Sequence, residues 1–257
     1  EIAFANVWGK NLEFDAVTSD YICCHFPGQE AMRIIYADQH LIIGNVAGVV
    51  VPAIFTEGPH TTEFEDGAEI HDTKDGDFNA FKVEGTRFAY AFGHSKEAVL
   101  ALVNKGLAMN LEEVAAAKLA FYEKLGAPDT FEHADLYAKC LSVMKTQLYS
   151  PEEKFDSIWS TPDRLPHKSL WLWDSVFHAL GHRRISGDLA EQLIHAIWAH
   201  QGDNGYVPHM ANSVLASSIT QPPVIAWGSW HVYKTTGNKE FLKEVFEHNK
   251  AFLNWCQ

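Results

Sequence analysis

The periodicity of the chain changes once, near residue 95, and this change constrains the fold more than any other feature. Up to about residue 92 the apolar residues come in short runs, RIIYA, HLIIGN, VAGVVVPAIF and FKVEGTRFAYAF, rich in β-branched and aromatic side chains and punctuated by Gly, Pro and Asp. Runs of this kind fit antiparallel strands. Beyond Ser95 the apolar residues recur at three- and four-residue spacing, in KEAVLALVNKGL, LEEVAAAKLAFYEKLG, HADLYAKCLSVMKTQLYS, DSVFHALGHRRI, LAEQLIHAIWAHQ, VIAWGSWHVYKTTG and KEFLKEVFEHNKAFLNW. That spacing predicts amphipathic helices. Strands followed by helices, without βαβ alternation, exclude a parallel sheet and predict an α+β chain of two domains. The expected division is an antiparallel β-sandwich with a linker helix over 1–105 and a helical domain over 106–257.

Local signals sharpen this reading. Ser95 is placed to cap the first helix, Asp188 and Thr236 to cap later ones, and Gly181, Gly187 and Gly237 to stop or start them. Leu189, Leu193, Ile194, Ile197 and Trp198 form one apolar stripe, and Phe241, Leu242, Val245, Phe246, Phe252 and Leu253 another. The acidic run 62–79 reads as a solvated loop between strands. Its carboxylates Asp66, Glu69, Asp72, Asp75 and Asp77 do not have the spacing of an EF-hand loop, and no metal ligand or cofactor is assigned.

Composition removes several functions. With 47% apolar residues and eight Trp in 257, the chain has material for packed cores. A formal charge of −13 opposes nucleic-acid binding, which needs clustered cations. The most apolar stretch, 32–55, is broken by Asp38, Gln39, His40 and Asn45, so a membrane partner is not expected. The four cysteines, at 23, 24, 140 and 256, have no C-x-x-C spacing and read as buried or incidental thiols. The sequence opens on Glu1 rather than Met and ends in FLNWCQ without a helix-stop signal, which reads as a piece of a longer protein. Its compartment is unassigned. There is no G-x-G-x-x-G, Walker A run, G-x-S-x-G or H-E-x-x-H. His178 and His182 stand four apart on one helix, where a packed or solvated pair is the simpler reading than a metal site.

The links between helices alternate in length. Those at 185–188 and 235–238 are short, whereas those at 149–172 and 201–219 are long and crowded with Trp, His, Asp, Asn and Tyr. Function tends to reside on such loops. They carry three clusters: TPDRLPHKSLWLWDS (161–175), HQGDNGYVPHM (200–210) and SSITQPPVIAW (217–227). Asp174 has two readings, a helix N-cap or a general acid held in a dry setting by Trp171 and Trp173. Gly202, Gly205, Pro208, Pro222 and Pro223 shape turns and helix starts. Asn204, His209 and Gln221 offer amides and an imidazole suited to hydroxyl-rich ligands, and neighbouring indoles suit sugar faces.

Taken in order, P-x-x-x-L-W-L-W-D-S (Pro166 to Ser175), Q-G-D-N-G-Y-V-P-H-M (Gln201 to Met210) and I-T-Q-P-P (Ile219 to Pro223) resemble the glycoside hydrolases of the (α/α)6-toroid type. The nearest are glycoside hydrolase family 63, with its processing α-glucosidase and mannosylglycerate hydrolase members, and the similar trehalases. The resemblance implies a β-sandwich followed by a twelve-helix toroid, here about half present, and an inverting α-glycosidase acting on an α-glucoside or α-mannoside. It implies Asp174 as general acid, which tips the balance away from the cap. It also implies Trp171, Trp173, Gln201, Asn204, Gly205, His209 and Gln221 as substrate-binding residues, with a carbohydrate as partner. The family's base, a Glu in the later half of the toroid, is expected outside this chain, since Glu240, Glu244 and Glu247 lie on an amphipathic helix. A half-ring would need a second chain or the missing half to cover it. Arg164, His167 or Lys168 could clamp an acidic aglycone. The rival readings are another α/α-toroid sugar enzyme, an epimerase or lyase, and a non-catalytic carbohydrate-binding half-toroid.

Overall fold

The computed structural model describes residues 2–5, 12–47, 51–54, 56, 58–73, 76–126, 132–162 and 168–257. Packing divides the chain into two units, Glu1–Lys124 and Leu125–Gln257. The arrangement is α+β, with strands in the first unit and helices dominating the second.

The first unit contains β1 (Ile2–Ala5), β2 (Glu13–Val17), β3 (Tyr21–His25), β4 (Met32–Asp38), β5 (Leu41–Asn45), β6 (Val51–Ile54), β7 (His60–Glu65), β8 (Ala68–Thr73), β9 (Phe78–Glu84) and β10 (Arg87–Gly93), then α1 (Lys96–Ala108) and α2 (Leu111–Leu125). Eight strands form one antiparallel sheet in the order β2-β3-β4-β5-β10-β9-β8-β7, and β1 pairs with β6 as a separate ribbon. Both faces of the sheet are packed. Val99, Val103, Leu111 and Ala115 from the helices cover Ile35, Leu41, Ile43, Ile70 and Ala89 on one side. On the other, Ile54 of β6 joins Ile42, Phe81 and Phe88. In place of the expected sandwich, the structure has a single broad antiparallel sheet with a helical layer on one face, while Ile54 of the two-stranded ribbon joins the cluster on the other. Gly106 permits the close helix approach, because a Cβ there would lie 2.8 Å from Ile43 Cγ2. Ser95 caps α1, accepting from the Ala98 N–H.

The run 62–79 is not a loop. Most of it is the hairpin β7–β8 and the start of β9. Asp66 and Gly67 turn the hairpin at φ 50° and 75°, the positive values that a tight two-residue connection requires. Every residue of β7 is exposed, so its charges hid the apolar alternation of a strand while protecting a sheet edge. The carboxylates diverge: Glu69 accepts from His71 Nε2, and Asp77 pairs with His94. Asp75 lies outside the described residues.

The second unit contains α3 (Ala134–Thr146), β11 (Leu148–Tyr149), β12 (Trp159–Ser160), β13 (Leu170–Trp171), α4 (Leu172–His182), α5 (Gly187–Trp198), β14 (Met210–Ala211), α6 (Ile225–Thr236) and α7 (Lys239–Trp255). Its core gathers Trp159, Leu172, Val176, Leu193, Ile194, Val232, Phe241 and Phe252. Gly228 of α6 gives Val176 of α4 its space; a Cβ there would meet Val176 Cγ1 at 2.3 Å. Two local expectations are corrected. Gly181 lies inside α4, where it accommodates Met144 of α3, and Ser186 rather than Asp188 caps α5. Gly237 ends α6 at φ 67° and Asn238 caps α7. All four cysteines are free, Cys23 and Cys24 buried, Cys140 and Cys256 exposed. No helix among the described residues is long and apolar enough to cross a membrane.

His182 is fully buried on α4, and neither ring nitrogen has a hydrogen-bond partner among the described residues. Burial first, and then the neighbouring His178, push its pKa down to about 4; the Met144 backbone pulls the other way without making a hydrogen bond of normal geometry. An unfolded chain takes up this proton near the ordinary imidazole value, so stability present above about pH 6.5 is lost as pH falls towards about 4, by up to ~3 kcal/mol. Urea unfolding at about pH 7 and about pH 5 should therefore show a larger loss for the wild type than for His182→Leu. Equal losses in both proteins would contradict this role.

Candidate functional site

The three sequence clusters meet at the start of α4. Leu170 and Trp171 pair with Ala211 and Met210 as a short antiparallel bridge. The Leu172 N–H then donates to the His209 carbonyl at 2.9 Å, and the His209 N–H donates to the Ile219 carbonyl at 2.8 Å. The Trp173 N–H donates to Gln221 Oε1 at 2.9 Å. A helix leaves its first N–H groups without intrahelical acceptors. Here two of them are satisfied from the second and third clusters, 37 and 48 residues away along the chain (209 − 172 and 221 − 173).

This arrangement bears on the N-cap reading of Asp174. Helix α4 begins at Leu172, two residues earlier than the expected DSVFHALGHRRI, and Trp171 stands at the cap position without a side-chain capping bond. Asp174 occupies the third helical position, half-buried, and its carboxylate has no hydrogen-bond or ion-pair partner among the described residues. Gln221 performs the capping that Asp174 was placed to do. The sequence could not identify it, because glutamine is not among the usual capping residues and the pair is remote in the chain.

The aromatic residues differ from expectation in their exposure. Trp173 is 42% exposed. Trp171 is half-buried, with its Nε1 unpartnered and its ring edge-on to His209 at 5.2 Å. His209 Nδ1 lies 2.5 Å from Ser217 Oγ, whose hydroxyl donates to the Ile219 carbonyl. That chain orients the ring with Nδ1 as donor and Nε2 as acceptor. One turn along α4, His178 contacts Ser160 Oγ at 2.9 Å. Burial lowers its pKa, and the charge of Asp174 opposes the shift.

Trp171, Trp173, Asp174, His209 and Gln221 are thus brought together. Gln201, Asn204 and Gly205 are engaged elsewhere. The Gln201 amide donates to the carbonyls of His248 and Gly205 and accepts from His248 Nδ1. Asn204 is exposed and accepts from the Tyr206 N–H. Gly205, at φ 89°, lies so close to α7 that a Cβ would meet the Ala251 carbonyl at 2.3 Å. These residues build a turn against α7. Of the three cations considered as an aglycone clamp, Arg164 and His167, like Pro166, lie outside the described residues. The Lys168 ammonium is occupied by Glu152 at 2.6 Å and by the Tyr149 ring at 4.9 Å. Among the described residues no three His, Cys, Asp or Glu side chains are grouped to hold a metal.

Residues 166–257 match the family model described as the mannosylglycerate hydrolase MGH1-like glycoside hydrolase domain. The match takes in all three motifs and supports a glycoside hydrolase family for this part of the chain. No curated protein matches the chain.

Removing the remote cap should loosen the start of α4. Gln221→Ala is expected to lower the stability of the helical unit by about 1 kcal/mol and to accelerate hydrogen exchange at the Trp173 amide. Unchanged exchange at that amide would contradict the capping role.

Proposed function

We propose that the helical unit belongs to an inverting α-glycosidase in which Asp174 is the general acid. The observation that carries this is the unengaged carboxylate in the first turn of α4. The surrounding cap bonds come from His209 and Gln221, and the Asp174 carboxylate has no hydrogen-bond or ion-pair partner among the described residues. The match over 166–257 supports the reaction class. The (α/α)6-toroid is the architecture proposed for the helices α3 to α7, and glycoside hydrolase family 63 and the trehalases are the relatives proposed for them.

In this reading Asp174 protonates the glycosidic oxygen as the bond to the anomeric carbon breaks. A second carboxylate, roughly 6.5–9.5 Å away, deprotonates a water attacking from the opposite face, and the anomeric configuration inverts. No base is assigned within this chain: Glu244 and Glu247 are exposed on α7, and Glu244 pairs with His195. Trp173, exposed beside the acid, provides an apolar face for a sugar ring, and His209 Nε2 an acceptor for a hydroxyl. Asn204 and Gln221, one exposed and one capping, are proposed as peripheral to the substrate, and Gln201 and Gly205 as supports of the loop. The proposed substrates are α-glucosides and α-mannosides, with mannosylglycerate the first to try, given the description of the matching family.

Asp174→Asn should lower kcat for such a glycoside by about 10²–10⁴-fold while circular dichroism and the unfolding midpoint stay unchanged. Near-normal hydrolysis by this variant would contradict the assignment. Proton NMR of the first-formed sugar should reveal the inverted anomer, and a retained anomer would contradict the mechanism.

A further inference from the structure

A groove of about 560 Å³ lies on the helical unit and is lined by Lys154, Asp156, His195, Trp198, Glu244 and His248, among others. None of the residues gathered at the start of α4 lines it. One wall is a tight turn in which Glu152 and Phe155 exchange backbone hydrogen bonds and Glu153 takes φ 50°. Phe155 anchors this turn by stacking on the buried Trp159 at 4.7 Å, leaving Lys154 and Asp156 exposed at its rim. The opposite walls are α5 and α7, which contribute His195 and Trp198, and Glu244 and His248, respectively.

The hydrogen-bonding state of these groups is defined by their neighbours. The Gln201 amide nitrogen donates to two carbonyls, so its oxygen faces His248 Nδ1 at 2.6 Å. An amide oxygen only accepts, so Nδ1 carries the proton and Nε2 keeps a lone pair. His195 Nδ1 lies 3.3 Å from a carboxylate oxygen of Glu244. The His248 ring is stacked on Trp198, at 5.3 Å and 12°. Lys154 and Asp156 form no hydrogen bond or ion pair among the described residues.

The groove therefore offers one ammonium, two carboxylates, the acceptor nitrogen of His248 and the imidazole of His195 around a polar rim. Two carboxylates against one ammonium disfavour an anion, and the exposed charged rim disfavours an apolar ligand. No three of the ligating side chains converge on a metal. A neutral ligand bearing many hydroxyls satisfies the set, because each hydroxyl both donates and accepts, and the volume suits one or two sugar rings.

We propose that this groove is an accessory site for a neutral glycoside, separate from Asp174. The choice of a sugar rests on the glycosidase reading; the site itself does not. The test is titration of the protein with methyl α-mannoside and methyl α-glucoside, followed by NMR of the histidine rings. Millimolar sugar, a weak but ordinary affinity, should shift the His195 and His248 signals. Asp156→Ala and Glu244→Ala, both at exposed positions, should weaken that response at least about tenfold and leave turnover at the catalytic site unchanged. Histidine signals that do not move with either sugar would overturn the proposal, as would an undiminished response in both variants. Loss of the Asp174 assignment would leave this readout intact, so the two failures are distinguishable.

Discussion

The helical unit depends on how the start of α4 is satisfied. A helix that begins in a packed region must find acceptors for its first N–H groups, since a buried unpaired donor costs about 1–3 kcal/mol. In this protein the acceptors are the His209 carbonyl and the Gln221 side chain, and His209 is held in turn by Ile219. The long, aromatic links that look irregular in sequence are therefore a single assembly folded over one helix end. Their joint occurrence has a physical reason: each supplies a group that the others need. Among the polar groups of the assembly without a hydrogen-bond partner among the described residues is the carboxylate of Asp174.

The first unit is governed by a different constraint, the covering of both faces of an eight-stranded sheet. Central strand β5 is buried almost throughout because α1 packs on one face and the cluster of Ile42, Phe81, Phe88 and Ile54 on the other. Gly44 belongs to the same constraint, since a Cβ there would lie 2.3 Å from the Arg33 carbonyl. The edge β7 remains open and carries charges, with Lys96 bridging Glu63 and Glu65.

Much of this was legible in the sequence where burial follows a simple period. The helices α1, α5, α6 and α7 lie where the spacing of apolar residues predicts them, whereas the run FKVEGTRFAYAF is two strands, β9 and β10, turning at Gly85. The hairpin β7–β8 was not legible, because an edge strand has no buried side to impose alternation. Within the candidate site, the motifs pointed to Trp171, Trp173, Asp174, Gln201, Asn204, Gly205, His209 and Gln221 together, of which Trp171, Trp173, Asp174, His209 and Gln221 meet at the start of α4. The division of labour among them was not legible, since Gln221 reaches Trp173 across 48 residues and only the folded chain brings them together. Gln201 is a similar case: a polar residue in a functional-looking loop whose amide is occupied by His248 of α7 and by the Gly205 carbonyl.

The proposal for Asp174 rests on a carboxylate in the first turn of α4 without a hydrogen-bond or ion-pair partner among the described residues. The most direct test of this account is the equilibrium stability of Asp174→Ala. If Gln221 and His209 cap α4, the substitution removes only a modest interaction with the helix dipole, and the unfolding free energy stays within about 0.5 kcal/mol of the wild type. A loss of about 1–2 kcal/mol, the usual size of a missing cap, would mean that the carboxylate holds the helix end, and the central claim would fail.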